Sequence, residues 1–343
     1  MLTRRGMLRG ATGAGLVLAG GARLAAAQGS QQGSQHERNK AAVRGFKEAQ
    51  KLGKSVKEVE AEFMTPNYRR HRGGMFHLAA NAQGQGFPGA GDFLRGAFPD
   101  RVDKPVEIIA EGDMVGFLFK ITGTHKGNLF GIPATGKTID VYEIGIFRLI
   151  DGKIAEAWFM ADEVALLRQI GATLPARKDG KRIVPPVTGE GEDANAVVKR
   201  LEGGPLATVE DRNKLLVVRS KGSAPPKDAR TADFRQRHAG FQNLREFGER
   251  RGAPTQTVTE AMPERSDPID GLLAEGDKVW MRFKLAAVHS KPLYSLPPTG
   301  RRVEAPEIGI AQIVDGKWKD AWYFGDELGL LLQLGYADEV LKP

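Results

Sequence analysis

The sequence predicts two successive α+β domains, each a bent antiparallel sheet with helices packed on one face. Three observations predict it. Adding 164 to each number from Glu111 to Gly171 gives a counterpart in Glu275 to Gly335 without a gap, and 26 of those 61 pairs are identical. Within each copy, apolar runs are punctuated by Glu-Gly-Asp and Asp-Gly-Lys, which is tight-turn chemistry between antiparallel strands. Helix signals precede and follow those runs, and two repeats of this length are a duplicated domain. At 343 residues the chain is long enough for two domains, and 41% hydrophobic with 27% charged residues is a soluble globular composition.

The elements follow in order. Residues 1–27 carry paired arginines, Arg4-Arg5, then a Gly/Ala-rich apolar run and a small-residue stretch ending at Ala27. That order is a signal peptide of twin-arginine type, too short to span a bilayer, and it leaves no membrane anchor after cleavage. The protein is therefore expected in the periplasm or secreted. Removing these residues, which hold four arginines and no acid, lowers the net charge from +8 to +4. The remaining charge is dispersed without long basic runs, so nucleic acid is not an expected partner. The absence of cysteine excludes disulfides and thiolate chemistry.

Residues 28–36 read as a disordered polar leader, and domain 1 spans 37–175. Its first helix covers 37–52, with Val43, Phe46 and Leu52 towards one side. Ser55 with Glu58 three residues later is a capping-box start for a second helix. A short helical piece runs about Gly91 to Phe98, followed by strands at about 104–111, 114–125, 138–150 and 153–161. Asp162 starts a last helix that stops at Gly171. Residues 176–208, rich in charge, Pro and Gly, read as a flexible linker reaching roughly 30 Å, and domain 2 spans 209–338.

Strand parity then places side chains. Val115, Phe117, Phe119, Ile121 and His125 share a face, as do Val141, Glu143, Gly145 and Phe147 on the next long strand; domain 2 repeats this with His289 and Glu307. If both apolar faces turn inward, a His and a Glu enter one hydrophobic cavity. A carboxylate there pays several kcal/mol of desolvation unless it is paired or protonated. Two readings are open: a general acid/base, with His125 and His289 as partners to Glu143 and Glu307, or a structural hydrogen bond without chemistry. Asp162 and Asp326 precede the last helix of each domain and read foremost as N-caps. Trp158 and Trp322 are core or pocket wall, and His71 and His238, in a helix-to-loop segment, are pocket-rim or surface residues. No metal-ligand spacing, phosphate loop or serine-nucleophile motif is present, so neither metal nor cofactor is expected.

The stretch from Ala110 to Gly171, with EGD, GTHKG, GIPATGK, IFRLIDGKI, the Trp158–Asp162 spacing and LLRQIG, resembles the SnoaL-like polyketide cyclase and ester cyclase group of the NTF2-like superfamily. The second half follows the pattern more loosely, with AAVHSKP in place of GTHKG. The resemblance implies two cone domains, each with a deep pocket between a curved sheet and its N-terminal helices. It implies ring closure by intramolecular aldol chemistry with a pocket His and acid, alongside isomerases, dehydratases and plain binders in other branches. The family histidine falls on His125 and His289. The family acid falls on Gly145 and Gly309, while Glu143 and Glu307 lie two residues earlier on the same face. The expected ligand is a small hydrophobic carbonyl compound, in a pocket drawn from His71, Phe117, Phe119, Phe147, Trp158, Asp162, His238, Trp322 and Asp326.

Three functions fit this reading: a cyclase, isomerase or hydratase; a non-catalytic periplasmic carrier; or a scaffold whose repeats pack as an internal pseudo-dimer or assemble as a homo-oligomer. The scaffold reading requires the face of Tyr142, Ile144 and Ile146 to be buried between domains. The fuller GTHKG motif makes domain 1 the expected site of activity.

Overall fold

The computed structural model describes residues 15–83, 94–175, 177, 179–223, 227–253 and 258–342, with side chains from residue 33 onward. The paired arginines of the expected signal and the first part of the helical piece expected from Gly91 lie outside the described residues. Domain 1 consists of α1 (Gly15–Lys51), α2 (Val56–Phe63), β1 (Met64–His71), α3 (Phe76–Gln83), β2 (Val102–Glu111), β3 (Met114–Thr124), β4 (Thr138–Ile150), β5 (Lys153–Ala161) and α4 (Glu163–Ile170). After α5 (Ala194–Glu202) come α6 (Val209–Arg219), β6 (Arg230–His238), α7 (Gln242–Arg250), α8 (Val258–Ala261), β7 (Ile269–Glu275), β8 (Lys278–Val288), β9 (Arg302–Val314), β10 (Lys317–Gly325), α9 (Glu327–Leu334) and α10 (Ala337–Val340). Among the described residues no helix is long and apolar enough to cross a membrane.

The local signals act as read. Ser55 and Glu58 close a capping box on α2. Asp162 caps α4, and Gly171 ends it in the left-handed region. The Asp151-Gly152 and Asp315-Gly316 turns all have positive φ, the geometry that lets a two-residue hairpin match the strand twist.

Three segments differ from expectation. Residues 64–71 form a strand, not a helix-to-loop segment; it joins the sheet edge parallel to β5, giving the order β1-β5-β4-β3-β2. Pro66 cannot donate to a ladder, which an edge strand tolerates. β6 repeats the arrangement on β10. The linker 176–208 is also largely docked. Ile183 N–H donates to Asn81 Oδ1 at 2.8 Å, Thr188 and Gly189 N–H both donate to Glu304 at 2.7 Å, and α5 is capped by Asp193. The stretch 28–36, read as a leader, continues α1, where His36 accepts from Gly112 N–H at 3.0 Å.

Alternation along the strands sorts the side chains onto two faces. Val115, Phe117, Phe119, Ile121 and Phe147 line the concave side under Val43, Phe46 and Val59 of the helices. Leu118, Ile144 and Ile146 line the convex side, where they meet Trp280, Ile308 and Ile310 of domain 2. The two sheets therefore pack back to back, with Ile144 and Ile146 each only 1% exposed.

At the seam Trp280 lies over Gly116, its own counterpart in the repeat. A Cβ on Gly116 would meet the indole at 2.7 Å, and the indole Nε1–H donates to Glu107 at 2.8 Å. Beside it β2 and β7 exchange matched bonds: Ala110 N–H to Glu275 at 2.9 Å and Ala274 N–H to Glu111 at 2.8 Å. Each glutamate also pairs with a lysine, Lys40 with Glu275 and Lys214 with Glu111, both at 2.6 Å.

The N-termini of α4 and α9 also meet across the interface. Asp162 caps α4 and accepts from Asn243 at 2.8 Å; Asp326 caps α9 and takes His77 at 2.9 Å together with Arg72. The neighbouring Glu163 and Glu327 accept from the first amides of α3 and α7. Burial pushes Glu163 up to about 8, and burial with the nearby Asp162 pushes Glu327 up to about 8. Burial and Arg72 pull His77 down to about 3, so its ring is neutral and donates to Asp326.

Two predictions follow from this interface. Trp280→Ala leaves a cavity against Gly116 and is expected to cost about 3–5 kcal/mol in urea unfolding; a loss within error would show that the seam is not a structural centre. Because the folded chain holds Glu163 and Glu327 protonated up to about 8 against 4.5 unfolded, their contribution is complete below 4.5 and is lost as pH rises towards 8. The urea midpoint should fall over that window, and Glu163→Gln with Glu327→Gln should flatten the slope.

Candidate active site

The concave face of domain 2 holds a chain of buried charges. Lys221, just beyond α6, places its Nζ 3.0 Å from Asp267, with both side chains 12% exposed. Arg265 links Asp267, at 2.6 Å through Nε, to Glu307, at 3.1 Å through Nη2. Glu307 stands opposite Phe283 in the β8–β9 ladder, and Lys221 lies 3.8 Å over that phenyl ring. Gly240 passes so close to the Glu307 carboxylate that a side chain there would collide with it. Burial pushes the Glu307 carboxyl up, against Arg265 and Lys221. Burial also pulls the Lys221 ammonium down, as does Arg265, against the opposing pull of Asp267 and Glu307.

Domain 1 carries the counterpart. Lys47 lies 4.1 Å over Phe119 and 3.7 Å from Asp103, which Arg101 engages at 2.5 Å. Glu143 stands opposite Phe119, packed so tightly under Gly74 that a Cβ there would meet the carboxylate at 2.8 Å. These lysine, arginine and aspartate residues were missed in the sequence. A signal was present: Pro99-Asp100-Arg101-Val102-Asp103 recurs as Pro263-Glu264-Arg265-Ser266-Asp267 at the same 164-residue offset, upstream of the block aligned above.

The expected His–Glu pair does not form. The ladder sets Glu143 against Phe119, and His125 lies six residues further on, roughly 20 Å along the strand. His125 Nδ1 is 3.1 Å from Thr135 Oγ1, and His289 repeats this with Thr299 at 3.2 Å. Each histidine instead ties down the loop after β3 or β8: its N–H donates to Lys137 or Arg301, and its carbonyl accepts from Gly136 or Gly300. Burial holds both rings below the ordinary histidine value.

The other expected pocket residues divide by strand parity. Phe117, Phe119 and Phe147 are in the domain 1 cone. Trp158 and Trp322 face the opposite way, into the interface between domains, because their neighbours Phe159 and Tyr323 take the concave positions. His71 stacks on Trp158 at 5.1 Å, and His238 stacks on Phe324 at 4.5 Å beside Trp322. His71 and Trp158 border an interdomain cavity of about 240 Å³ with Arg282, Lys284 and Glu304. Asp162 and Asp326 are helix caps at the interface, outside both cones. Among the described residues one group has a metal donor set: atoms of His77, Glu163 and Asp326 lie within 4.8 Å of one another. The Arg72 guanidinium bonded to Asp326 already supplies positive charge there.

The two cones are filled differently. In domain 1, Phe147 makes edge contacts with Phe46 at 6.1 Å and Phe159 at 5.0 Å, Phe63 lies 6.4 Å from Phe46, and α2 packs over β1 and β5. Domain 2 has Ala311 and Tyr323 at the positions of Phe147 and Phe159, and no described helix between α6 and β6. There a cavity of about 500 Å³ opens, lined by Ser220, Lys221, Asp228, Arg230, Trp318 and Tyr323.

Comparison with known proteins agrees with this architecture. A model of the SnoaL-like polyketide cyclases matches residues 58–170 and again 228–334. The aklanonic acid methyl ester cyclase DauD of Streptomyces sp. (strain C5) is 30% identical over 145 residues, which is 42% of this chain and 88% of that protein. The corresponding cyclase DnrD of Streptomyces peucetius is 31% identical over 134 residues, 39% of this chain and 90% of its own. Among solved structures, IdmH of Streptomyces antibioticus is 26% identical with a TM-score of 0.32, covering 39% of this chain and 99% of its own. A SnoaL-like protein from Jannaschia sp. CCS1 is 23% identical with a TM-score of 0.33, covering 39% and 92%. The chain belongs to the SnoaL-like polyketide cyclase family and carries that domain twice.

Proposed function

We propose that this protein binds a small hydrophobic carbonyl compound in the domain 2 cone and moves a proton at carbon there, in a cyclisation, isomerisation or hydration. One observation carries the reading: the cavity of about 500 Å³ opens on Lys221 and Tyr323, and Lys221 is joined through Asp267 and Arg265 to Glu307. A cleft in which polar groups with shifted titrations converge is a candidate small-molecule site. Glu307, held towards its protonated form by burial, is the acid of this reading, and Arg265 fixes its orientation. The cyclase relatives support the same reaction class. Domain 1, with its phenylalanine-filled centre, then serves as the rigid half on which domain 2 is built. The signal-like residues 1–27 support export, in which case the protein works in the periplasm or outside the cell, without a nucleic-acid partner or a cofactor of its own.

Deuterium exchange at the carbon beside the carbonyl of an aryl ketone, followed by NMR, tests the reading. Glu307→Gln is expected to slow exchange on the order of 10²-fold or more. A loss as large on Glu143→Gln would move the activity to domain 1. Exchange by the wild type no faster than in buffer would leave a carrier.

A further inference from the structure

Lys221 has a property that the acid–base reading does not use. Its amine is the only one lining the domain 2 cavity among the residues that border it, and it stands between an aromatic floor and an acid. Phe283 lies 3.8 Å below Nζ, the Tyr323 ring 5.4 Å away, and Asp267 3.0 Å to the side. An amine becomes a nucleophile towards carbonyl carbon when it is desolvated or crowded by a second cation. Both conditions hold, since the side chain is only 12% exposed and Arg265 is bonded to the same carboxylate.

We propose that Lys221 forms a covalent imine with the carbonyl of the bound compound, so that the pocket acts on ketones and aldehydes through an amine. This rests on the domain 2 pocket as the binding site. In the first step the Lys221 ammonium passes a proton to the Asp267 carboxylate it pairs with, and the freed Nζ adds to the carbonyl carbon as the C=O π pair moves to oxygen. That oxygen takes one proton from the new nitrogen and a second from Asp267 and leaves as water, giving the iminium. The cationic nitrogen then draws electrons from the neighbouring C–H bond. Asp267, now a carboxylate beside Nζ, takes that proton, and the carbon pair becomes an enamine that can attack a second carbonyl of the same molecule. Protonation of the resulting alkoxide, followed by addition of one water, releases the ring-closed product and returns the amine. No oxidant or reductant enters.

Burial and Arg265 lower the Lys221 ammonium, which raises the neutral fraction available for attack. A lysine held below its ordinary value carries more free amine at a given pH. The equivalent Lys47 sits in the phenylalanine-filled cone and serves as the internal comparison.

The test uses the full chain and benzoylacetone, a small aromatic 1,3-diketone that forms a conjugated enaminone with a reactive amine. Peptide mass spectrometry should locate one adduct at Lys221, formed about tenfold faster than at any other lysine, and with a rate that levels off at lower pH than for free lysine. Lys221→Arg, which keeps the charge, should abolish it. Site mapping and the pH profile in the wild type need no variant, so a misfolded substitution does not remove the test. Adduct scattered over surface lysines, or none, overturns the imine. Equilibrium dialysis separates the two failures: benzoylacetone bound without an adduct leaves the pocket reading standing, and no binding overturns both.

Discussion

The packing of Trp280 over Gly116 is the contact on which the two-domain arrangement depends. The two positions are equivalent in the repeat, so the seam between the sheets is filled by one large and one absent side chain from the same site. Two tryptophans there would collide, and two glycines would leave the sheets apart. The indole is fully buried and hydrogen-bonded to Glu107, so its nitrogen is not left unpaired in the apolar seam. Around it, the exchanged bonds of Glu111 and Glu275 fix the register of one sheet edge on the other.

That asymmetry is available only to a duplicated chain, where the two copies of a position can change separately. The same freedom extends to the cones. In domain 1 Phe147 and Phe159 complete a packed cluster, and α2 lies across the wall. In domain 2 Ala311 takes the place of Phe147 and leaves space, and Lys221, just after α6, lines the cavity. Both domains keep the lysine–aspartate–arginine motif, but only the second sets it beside the large cavity described here. The histidine of the GTHKG motif fastens a loop far from the glutamate.

Much of the fold was legible because it depends on local rules. Ser55 with Glu58, Asp162 with Gly171, and the Asp-Gly turns act within a few residues of themselves, and strand parity assigned Leu118, Ile144 and Ile146 to one face. The edge strand β1 was not legible, because its partner β5 lies some 85 residues away and its own sequence shows neither helical period nor a strong apolar alternation. The docked linker was missed for a similar reason: Thr188 and Gly189 are ordered by Glu304, more than 110 residues on.

The sequence by itself determined the duplication, the four antiparallel strands of each half, the helix caps, and the unusual glutamates at 143 and 307. Periodicity and turn chemistry are properties of neighbouring residues, and a repeat is visible without coordinates. Only the tertiary structure decided which charges those glutamates meet. Parity says which face a side chain takes, but not how far along the strand its partner lies, so Glu307 found Arg265 rather than His289. It also decided that Trp158 and Trp322 belong to the seam, since which side of a sheet becomes a pocket depends on what packs against the other.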